Sequence, residues 1–422
     1  VSFSLLRSLA RSSYTCIKDS RCAHNNYSNY STYSASQSYY ILDKNKLINN
    51  IKTFKANLPT VKPYYAVKCN NHPFVLKTLI SNGFNFDCAS IKEIKQIQYL
   101  QSKNTINSPS NSQSSPSKII YANPIKSVDS IVTAKDLGIN LYTLDSLDEL
   151  QKLLRWHSNC GYLLRIAVDD KYSLCKLNGK FGIRGQAIST FFKHYQEFAP
   201  QFKGIAFHVG SNCMSPQSYL DALKLVDSIA SAYKLYSEPF CLDIGGGFTK
   251  SGCQSLFNNI SEIINNQTIT GNIIAEPGRI IVEDIMDLFV PVIGTNTSSN
   301  SVYINNSIYS DFNCVTYDHK ILQFSILRGS KEFVFESGKW IVKGTPSGYI
   351  NNCITQNIYG ATCDSMDKIL IAECPKLQVG DVLKFHNMGA YTYSSRAEFN
   401  GIPLAKVLIL GEPRFPHNPL AW

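Results

Sequence analysis

Short apolar runs and longer amphipathic stretches alternate between residues 63 and 279. The runs are PYYAVK (63–68), NFDCAS (85–90), IIYAN (119–123), NLYTLD (140–145), YLLRIAV (162–168), GIAFHVG (204–210), CLDIGGG (241–247) and NIIAEPGR (272–279). Each is short and largely apolar, as a buried strand is. Between many of them lie HPFVLKTLISN (72–82), IKEIKQIQYL (91–100), SLDELQKLLRW (146–156) and SPQSYLDALKLVDSIASAYK (215–234), with apolar residues three and four apart. Eight βα units in sequence predict an α/β fold, a (β/α)₈ TIM-like barrel. After about residue 285 the helical period disappears, and MDLFVPVIG, SVYIN, WIVKG, KILIAE, DVLKF and LAKVLIL predict a mainly antiparallel β domain. QSYYILD (37–43) has the same look and is expected to add a strand to it. The expected organisation is an N-terminal segment 1–36, the strand 37–43, the barrel 44–285 and the β domain 286–422.

Polar residues close these runs where a packed core would not place them. Lys68 follows Tyr64, Tyr65, Ala66 and Val67, yet lysine is almost never fully buried unless paired. The other runs end in Asp87, Asn123, Arg165, His208, Gly245–Gly246–Gly247, and Glu276 with Arg279. Taken singly, each has a bland explanation: a lysine reaching solvent, a hydrogen-bonded core histidine, a tight glycine turn. Together they fall on one rim, the C-terminal face where barrels build their sites. Three glycines after the seventh run let backbone N–H groups approach a phosphate, and barrel phosphate sites favour the loops after strands seven and eight. A lysine near an anchored phosphate ester suggests an aldehyde cofactor held as a Schiff base. Glu276 would then keep a pyridine nitrogen protonated.

Composition narrows the picture further. At 422 residues and 44% apolar content, two domains with sizeable cores are expected. The net charge of +10 is spread along the chain without a basic stripe interleaved with aromatics, so nucleic acid is not expected as a partner, and no apolar run is long enough to span a membrane. The 13 cysteines lack paired metal-ligand spacing, which predicts free thiols, no metal, and a reducing compartment, the cytoplasm. Residues 1–36 are basic, Ser-rich and nearly free of acids, as a mitochondrial transit peptide is; a disordered tail is the alternative. SKNTINSPSNSQSSPSK (102–118) reads as a disordered surface insertion.

In the same order, PYYAVKCN, FDCAS, FHVGSNC, LDIGGGF, AEPGR, FNCVTYDH, YGATCDSMD and NMGAYT resemble the eukaryotic ornithine decarboxylases over roughly residues 37–412. The resemblance implies an alanine-racemase-like barrel with a β domain, and pyridoxal 5'-phosphate as cofactor. It implies that Lys68 bonds the cofactor aldehyde and His208 stacks on the ring. Ser211, Gly245, Gly246, Gly247, Arg279 and Tyr391 would hold the phosphate, Glu276 the pyridine nitrogen, and Asp87, Glu93 and Arg165 further pocket positions. The implied reaction is decarboxylation of L-ornithine to putrescine, a step of polyamine biosynthesis, in a homodimer whose sites are completed across the interface. Cys363 of one subunit would reprotonate Cα in the other's site, while Asp318 and Asp364 meet the distal ammonium near Tyr309. Lys180 and Asp367 match an intersubunit salt bridge, and Phe399 matches an interface position.

This chain departs from the family in carrying Asn306-Ser307-Ile308-Tyr309-Ser310-Asp311 where relatives usually have Asp-Gly-Val-Tyr-Gly-Ser, and Ala361 in place of a proline. Lysine, one methylene longer than ornithine, stays open as a substrate. A non-catalytic homologue that binds the regulatory protein antizyme is the alternative from another class.

Overall fold

The computed structural model describes residues 37–106, 116–235, 240–250, 257–258, 260, 272–345 and 348–411. The first strand, β1 (Tyr39–Leu42), leads into the helix Lys44–Asn57, whose first turn is capped by the Asp43 carboxylate accepting from the N–H groups of Asn45 and Lys46. The chain then passes through β2 (Lys62–Ala66), β3 (Asn85–Cys88), β4 (Ile119–Tyr121), β5 (Leu141–Leu144) and β6 (Gly161–Arg165). A small ribbon strand, β7 (Ser173–Cys175), precedes β8 (Phe202–Ala206). Its antiparallel partner β9 (Ser211–Cys213) precedes β10 (Cys241–Asp243) and β11 (Asn272–Ala275). The strands β2, β3, β4, β5, β6, β8, β10 and β11 close in that order into an eight-stranded parallel barrel.

Every barrel strand is shorter at its C-terminal end than the sequence pattern predicts. β2 stops at Ala66 and a single 3₁₀ turn, Val67–Cys69, carries Lys68; β8 stops two residues before His208; β11 stops before Glu276. Asp87 and Arg165 lie within the last two residues of β3 and β6, whereas Lys68, Asn123, His208, Gly245–Gly247, Glu276 and Arg279 lie beyond the strands they were read as closing. The barrel interior explains their placement. Tyr64, Ile120, Leu163, Ala206 and Ile274, from five strands, form one small buried cluster with Cys241 packed against it. Side chains two residues apart share a face of a strand. The next inward positions above that apolar plug are therefore Ala66, Ala122, Arg165, His208, Asp243 and Glu276.

The second domain is a ten-stranded mixed sheet. It comprises β12 (Met286–Asn296), β13 (Ser301–Ile304), β14 (Phe324–Arg328), β15 (Lys331–Glu336), β16 (Lys339–Val342), β17 (Cys353–Tyr359), β18 (Lys368–Pro375), β19 (Val382–Phe385), β20 (Lys406–Ile409) and β1. β1 pairs antiparallel with β12 and parallel with β20, and β13 pairs parallel with β17; the remaining ladders are antiparallel. A loop of this sheet docks on the barrel rim. Tyr391 N–H donates to Cys69 O at 2.9 Å, Ser394 Oγ to Lys68 O at 2.7 Å, and the Asn70 amide to Gly389 O at 2.8 Å.

The segment 1–36 lies outside the described residues, as does 107–115 of the tract read as an insertion. Residues 102–106 of that tract instead continue the helix Ile91–Ile106. The ten described cysteines are all free thiols. Among the described residues no group of His, Cys, Asp and Glu could hold a metal ion, and no helix is long and apolar enough to cross a membrane.

Candidate active site

The Lys68 turn is held from both domains, and it aims the ammonium at Asp87 on the adjacent strand β3. Lys68 Nζ stands 2.9 Å from Asp87 Oδ2; the lysine side chain is 45% accessible and the aspartate 1%. Burial pulls the lysine pKa down, but the carboxylates of Asp87 and Glu276 outweigh it and the net direction is up. A salt-bridged lysine that remains open on one side is tethered yet reachable.

Acidic side chains converge below it. Glu93 Oε2 accepts from Ala89 N–H at 2.6 Å, and burial pushes the Glu93 carboxyl up to about 7. Glu276 is driven well above the carboxylate range, first by burial and then by Asp243 and Asp87, with Lys68 and Arg165 acting in the opposite sense. His208 accepts from Gly210 N–H at Nδ1, 3.1 Å away, which leaves the proton on Nε2. Burial, with Arg165 and Lys68 nearby, pushes the His208 pKa far down, so the ring is neutral.

At the other side of the mouth the groups suit an anion. Gly245 N–H is bound by Asp243 Oδ1 at 2.8 Å, Gly246 O by the Tyr219 hydroxyl at 2.8 Å and Gly247 O by Cys213 N–H at 2.9 Å. A Cβ on Gly246 would lie 2.8 Å from Glu276 O and 3.0 Å from His208 Nε2, so only glycine lets the chain run this close to the histidine. Arg279 Nη2 reaches Ser211 Oγ at 3.2 Å and Asp318 Oδ1 at 2.5 Å, and its guanidinium lies 5.0 Å from the centre of the Tyr391 ring. Glu283 meets both Arg279 Nη1, at 3.4 Å, and Lys320, at 3.0 Å.

A second set of residues gathers on the β domain. The Tyr309 hydroxyl donates to Asp364 Oδ2, the Tyr309 and Phe399 rings lie 4.4 Å apart, and Cys363 is exposed with its N–H on Asn400 Oδ1 at 3.1 Å. Asp364 thus meets Tyr309, whereas Asp318 meets Arg279; the two carboxylates read as one pair have different partners within a chain. Asp367 is 1% exposed and accepts from Ile308 N–H, Thr362 N–H and the Thr362 hydroxyl. That buried carboxylate organises its own loop. Lys180 itself lies 4.8 Å from the Phe181 ring centre.

The sequence reading missed Asp243, Tyr219 and the Asp318–Arg279 pair. Asp243 was visible in principle: it follows Cys241 by two residues, the inward parity that also yields Arg165, His208 and Glu276. Tyr219 lies on the helix Gln217–Ala232 and carried no signal beyond its apolar spacing.

The site fits a phosphorylated pyridine aldehyde. Buried polar atoms without a hydrogen-bond partner include Asp87 Oδ1, Arg165 Nε, Asp243 Oδ2, Arg279 Nε and Asp318 Oδ2. Such orphans are costly unless a ligand completes them. The donor set is an amine, an imidazole, an interior carboxyl and an arginine beside a glycine turn, which suit an aldehyde, an aromatic ring, a ring nitrogen and a phosphate in turn.

Comparison with known proteins agrees. Residues 44–283 match the family described as pyridoxal-dependent decarboxylase, pyridoxal binding domain. The ornithine decarboxylase of Schizosaccharomyces pombe is 33% identical over 387 residues, which span 89% of this chain and 84% of that one. Antizyme inhibitor 2 of Xenopus laevis is 34% identical over 397 residues, 87% of this chain and 80% of its own. The crystal structure of the Paramecium bursaria Chlorella virus arginine decarboxylase bound to agmatine matches with a TM-score of 0.76 at 30% identity, covering 89% of this chain and 97% of that one. The chain therefore belongs to the group IV pyridoxal-phosphate-dependent decarboxylase family, as a homologue of the ornithine decarboxylases.

Proposed function

We propose that this protein binds pyridoxal 5'-phosphate and decarboxylates L-ornithine to putrescine, in a homodimer whose sites are shared between subunits. The observation that carries the reading is the convergence of Lys68, Asp87, His208, Glu276 and Arg279 on one barrel mouth. When bound, the cofactor supplies a protonated ring that accepts the electrons released as carbon dioxide leaves Cα. Lys68 holds its aldehyde. Ser211, Arg279 and the Gly245–Gly247 turn hold the phosphate, with Tyr391 against Arg279. Glu276 keeps the ring nitrogen protonated, and neutral His208 lies against the ring face. The apolar plug below excludes water from the barrel interior. The thiol of Cys363, exposed on its own subunit, returns a proton to Cα in the partner's site.

Specificity for a basic side chain rests on Asp318 and Asp364, which offer carboxylates to the distal ammonium. A pocket distinguishes ornithine from lysine by one methylene, about 1–3 kcal/mol, so a parallel assay with ornithine, lysine, arginine and diaminopimelate decides the substrate. Ornithine is expected to give the highest kcat/KM; a higher value for lysine or arginine would overturn the assignment. The similarity to antizyme inhibitor 2 supports a second reading, a non-catalytic antizyme-binding protein. Retention of Lys68, His208, Glu276, Arg279, Cys363 and Asp364 favours the enzyme. Purified protein with an absorbance band that shifts on adding ornithine supports catalysis; colourless, inert protein supports the binder.

Subunit mixing tests the shared site. Lys68→Ala and Cys363→Ala should each be severely impaired alone. In exchanged heterodimers one site carries both lesions and the other neither, so activity should return to up to about half the wild-type value per dimer, by two-fold symmetry. Exchange without recovery would sink the shared-site mechanism.

A further inference from the structure

Three acids, Asp87, Asp243 and Glu276, face two cations, Lys68 and Arg165, at the bottom of the site. Asp87 is committed to Lys68 at 2.9 Å. Asp243 is 1% exposed; its Oδ1 accepts from Gly245 N–H, while its Oδ2 is buried with no hydrogen-bond partner. Asp243 sits opposite Ile274 in the β10–β11 ladder, and Glu276 follows Ile274 by two residues on the same face. Gly245 locks the two together, donating to Asp243 and accepting from Glu276 N–H at 2.7 Å. A surplus carboxylate cannot be held here as a charge: two like charges at close range in a low-dielectric interior retain a proton between them.

We propose that Asp243 is a positioning residue that carries this proton on its inner oxygen and donates it toward Glu276, so that Glu276 presents the pair's single negative charge to the ring nitrogen of the cofactor. The inference rests on the cofactor site proposed above and assigns a role to a residue that does not itself touch the cofactor. Burial pushes Asp243 up to about 7 and Glu276 well above its usual range, while the hydrogen bond from Glu276 lowers Asp243, so without cofactor the pair's proton rests on Glu276 and cofactor binding moves it to Asp243. The groups facing Asp243 are Glu276 just beyond the adjacent β11, Asp87, Arg165 and Tyr64 from other strands of the barrel, Cys241 on its own strand, and Lys68 beyond Glu276. A protonated ring nitrogen beside Glu276 makes Asp243 the favoured seat of the proton.

The test compares Asp243→Asn with Asp243→Ala in the full-length protein, titrated with pyridoxal 5'-phosphate across about pH 6 to 9. Asparagine keeps an acceptor for Gly245 N–H and a neutral donor toward Glu276; alanine keeps neither. Near pH 6.5 the asparagine variant should bind the cofactor within about threefold of wild type, and the alanine variant at least about tenfold more weakly, the cost of unmaking buried hydrogen bonds. Once the pH is high enough for the cofactor-free pair to give up its single proton, wild type must take up a proton on binding and the asparagine variant need not. The ratio of wild-type to D243N dissociation constants should therefore rise by up to about tenfold per pH unit. Infrared spectra of the cofactor-free proteins supply an independent readout: wild type should show a protonated-carboxyl band that D243N lacks.

A D243N variant that melts like wild type but binds as weakly as D243A would overturn the proposal, and so would a flat ratio across the pH range. Wild-type protein that binds no pyridoxal 5'-phosphate would instead refute the cofactor site, while the infrared band would still report whether the pair holds a proton.

Discussion

Gly246→Ala is the smallest perturbation that reaches the centre of the site. The added methyl would lie 2.8 Å from the carbonyl oxygen of Glu276 and 3.0 Å from His208 Nε2. Both are several tenths of an ångström inside ordinary contact, and the first is backbone, which cannot swing aside as a flexible side chain would. The φ of Gly246 is not in the left-handed region, so the whole effect is steric. Overpacking of this kind costs about 1–3 kcal/mol. The atoms that must move are those set to meet the cofactor ring, so most of that cost should appear as lost cofactor affinity, about 5- to 150-fold. Gly138→Ala is the control. Its φ is +75° and a methyl there meets nothing within 4 Å, so it should lower stability by about 1 kcal/mol, the strain of a left-handed alanine, without changing cofactor binding. Pyridoxal 5'-phosphate titrations and thermal melts on the same samples separate the two effects. A G246A variant with wild-type affinity and melting temperature would refute the claim that this turn is packed against His208 and Glu276.

Glu93→Gln should flatten the pH dependence of stability. The Glu93 carboxyl is raised from 4.5 to about 7 in the folded protein, so the folded state holds its proton more tightly than the unfolded state. Its contribution is therefore most favourable below about pH 4.5 and is lost as pH rises towards 7, by up to about 3 kcal/mol. Denaturant titrations should find the variant more stable than wild type at pH 8 and not at pH 5; an equal difference at both would contradict the burial of this acid. Asp318→Asn removes the charge that meets Arg279 at 2.5 Å and should destabilise the cofactor-free protein by about 1–3 kcal/mol. Inorganic phosphate should raise the melting temperature of that variant more than that of wild type, and its KM for ornithine should rise; an unchanged KM would leave the distal ammonium to Asp364.

The barrel was legible because its strands are buried on both faces and bounded by polar residues, and the rim was legible because those polar residues converge. Asp243 escaped because the three glycines after it supplied a sufficient reason for the seventh strand to end. Parity along the strand, not the last polar residue, is the sharper guide. β14, β15 and β17 in the second domain escaped for a different reason: polar side chains interrupt their pattern. Ser325 of β14 is buried and bonds Glu332 of β15. Gln356 of β17 is 2% exposed, donating to Pro375 O and accepting from Leu377 N–H. Such residues read as loop in the sequence and are satisfied only by neighbours distant along the chain.

The segment 306–311, the largest departure from the family pattern, follows the same logic. Asn306, Ser307, Ser310 and Asp311 are each at most 2% exposed. Asp311 collects the Tyr40 hydroxyl, the Asn306 amide and the Arg396 guanidinium, and Asn306 Oδ1 accepts from Ser307 N–H, Ser310 Oγ and Asp311 N–H. The acid that relatives carry at the first position stands here at the last, and the first holds the amide that binds it. Within this chain the two residues satisfy each other, since a buried carboxylate requires partners and a buried amide requires an acceptor. What this knot holds in place is Tyr309, whose N–H rests on Ser307 Oγ at 3.0 Å and whose hydroxyl reaches Asp364. The departure alters how the turn is fastened, while the side chain it presents to Asp364 is the tyrosine that the family also carries.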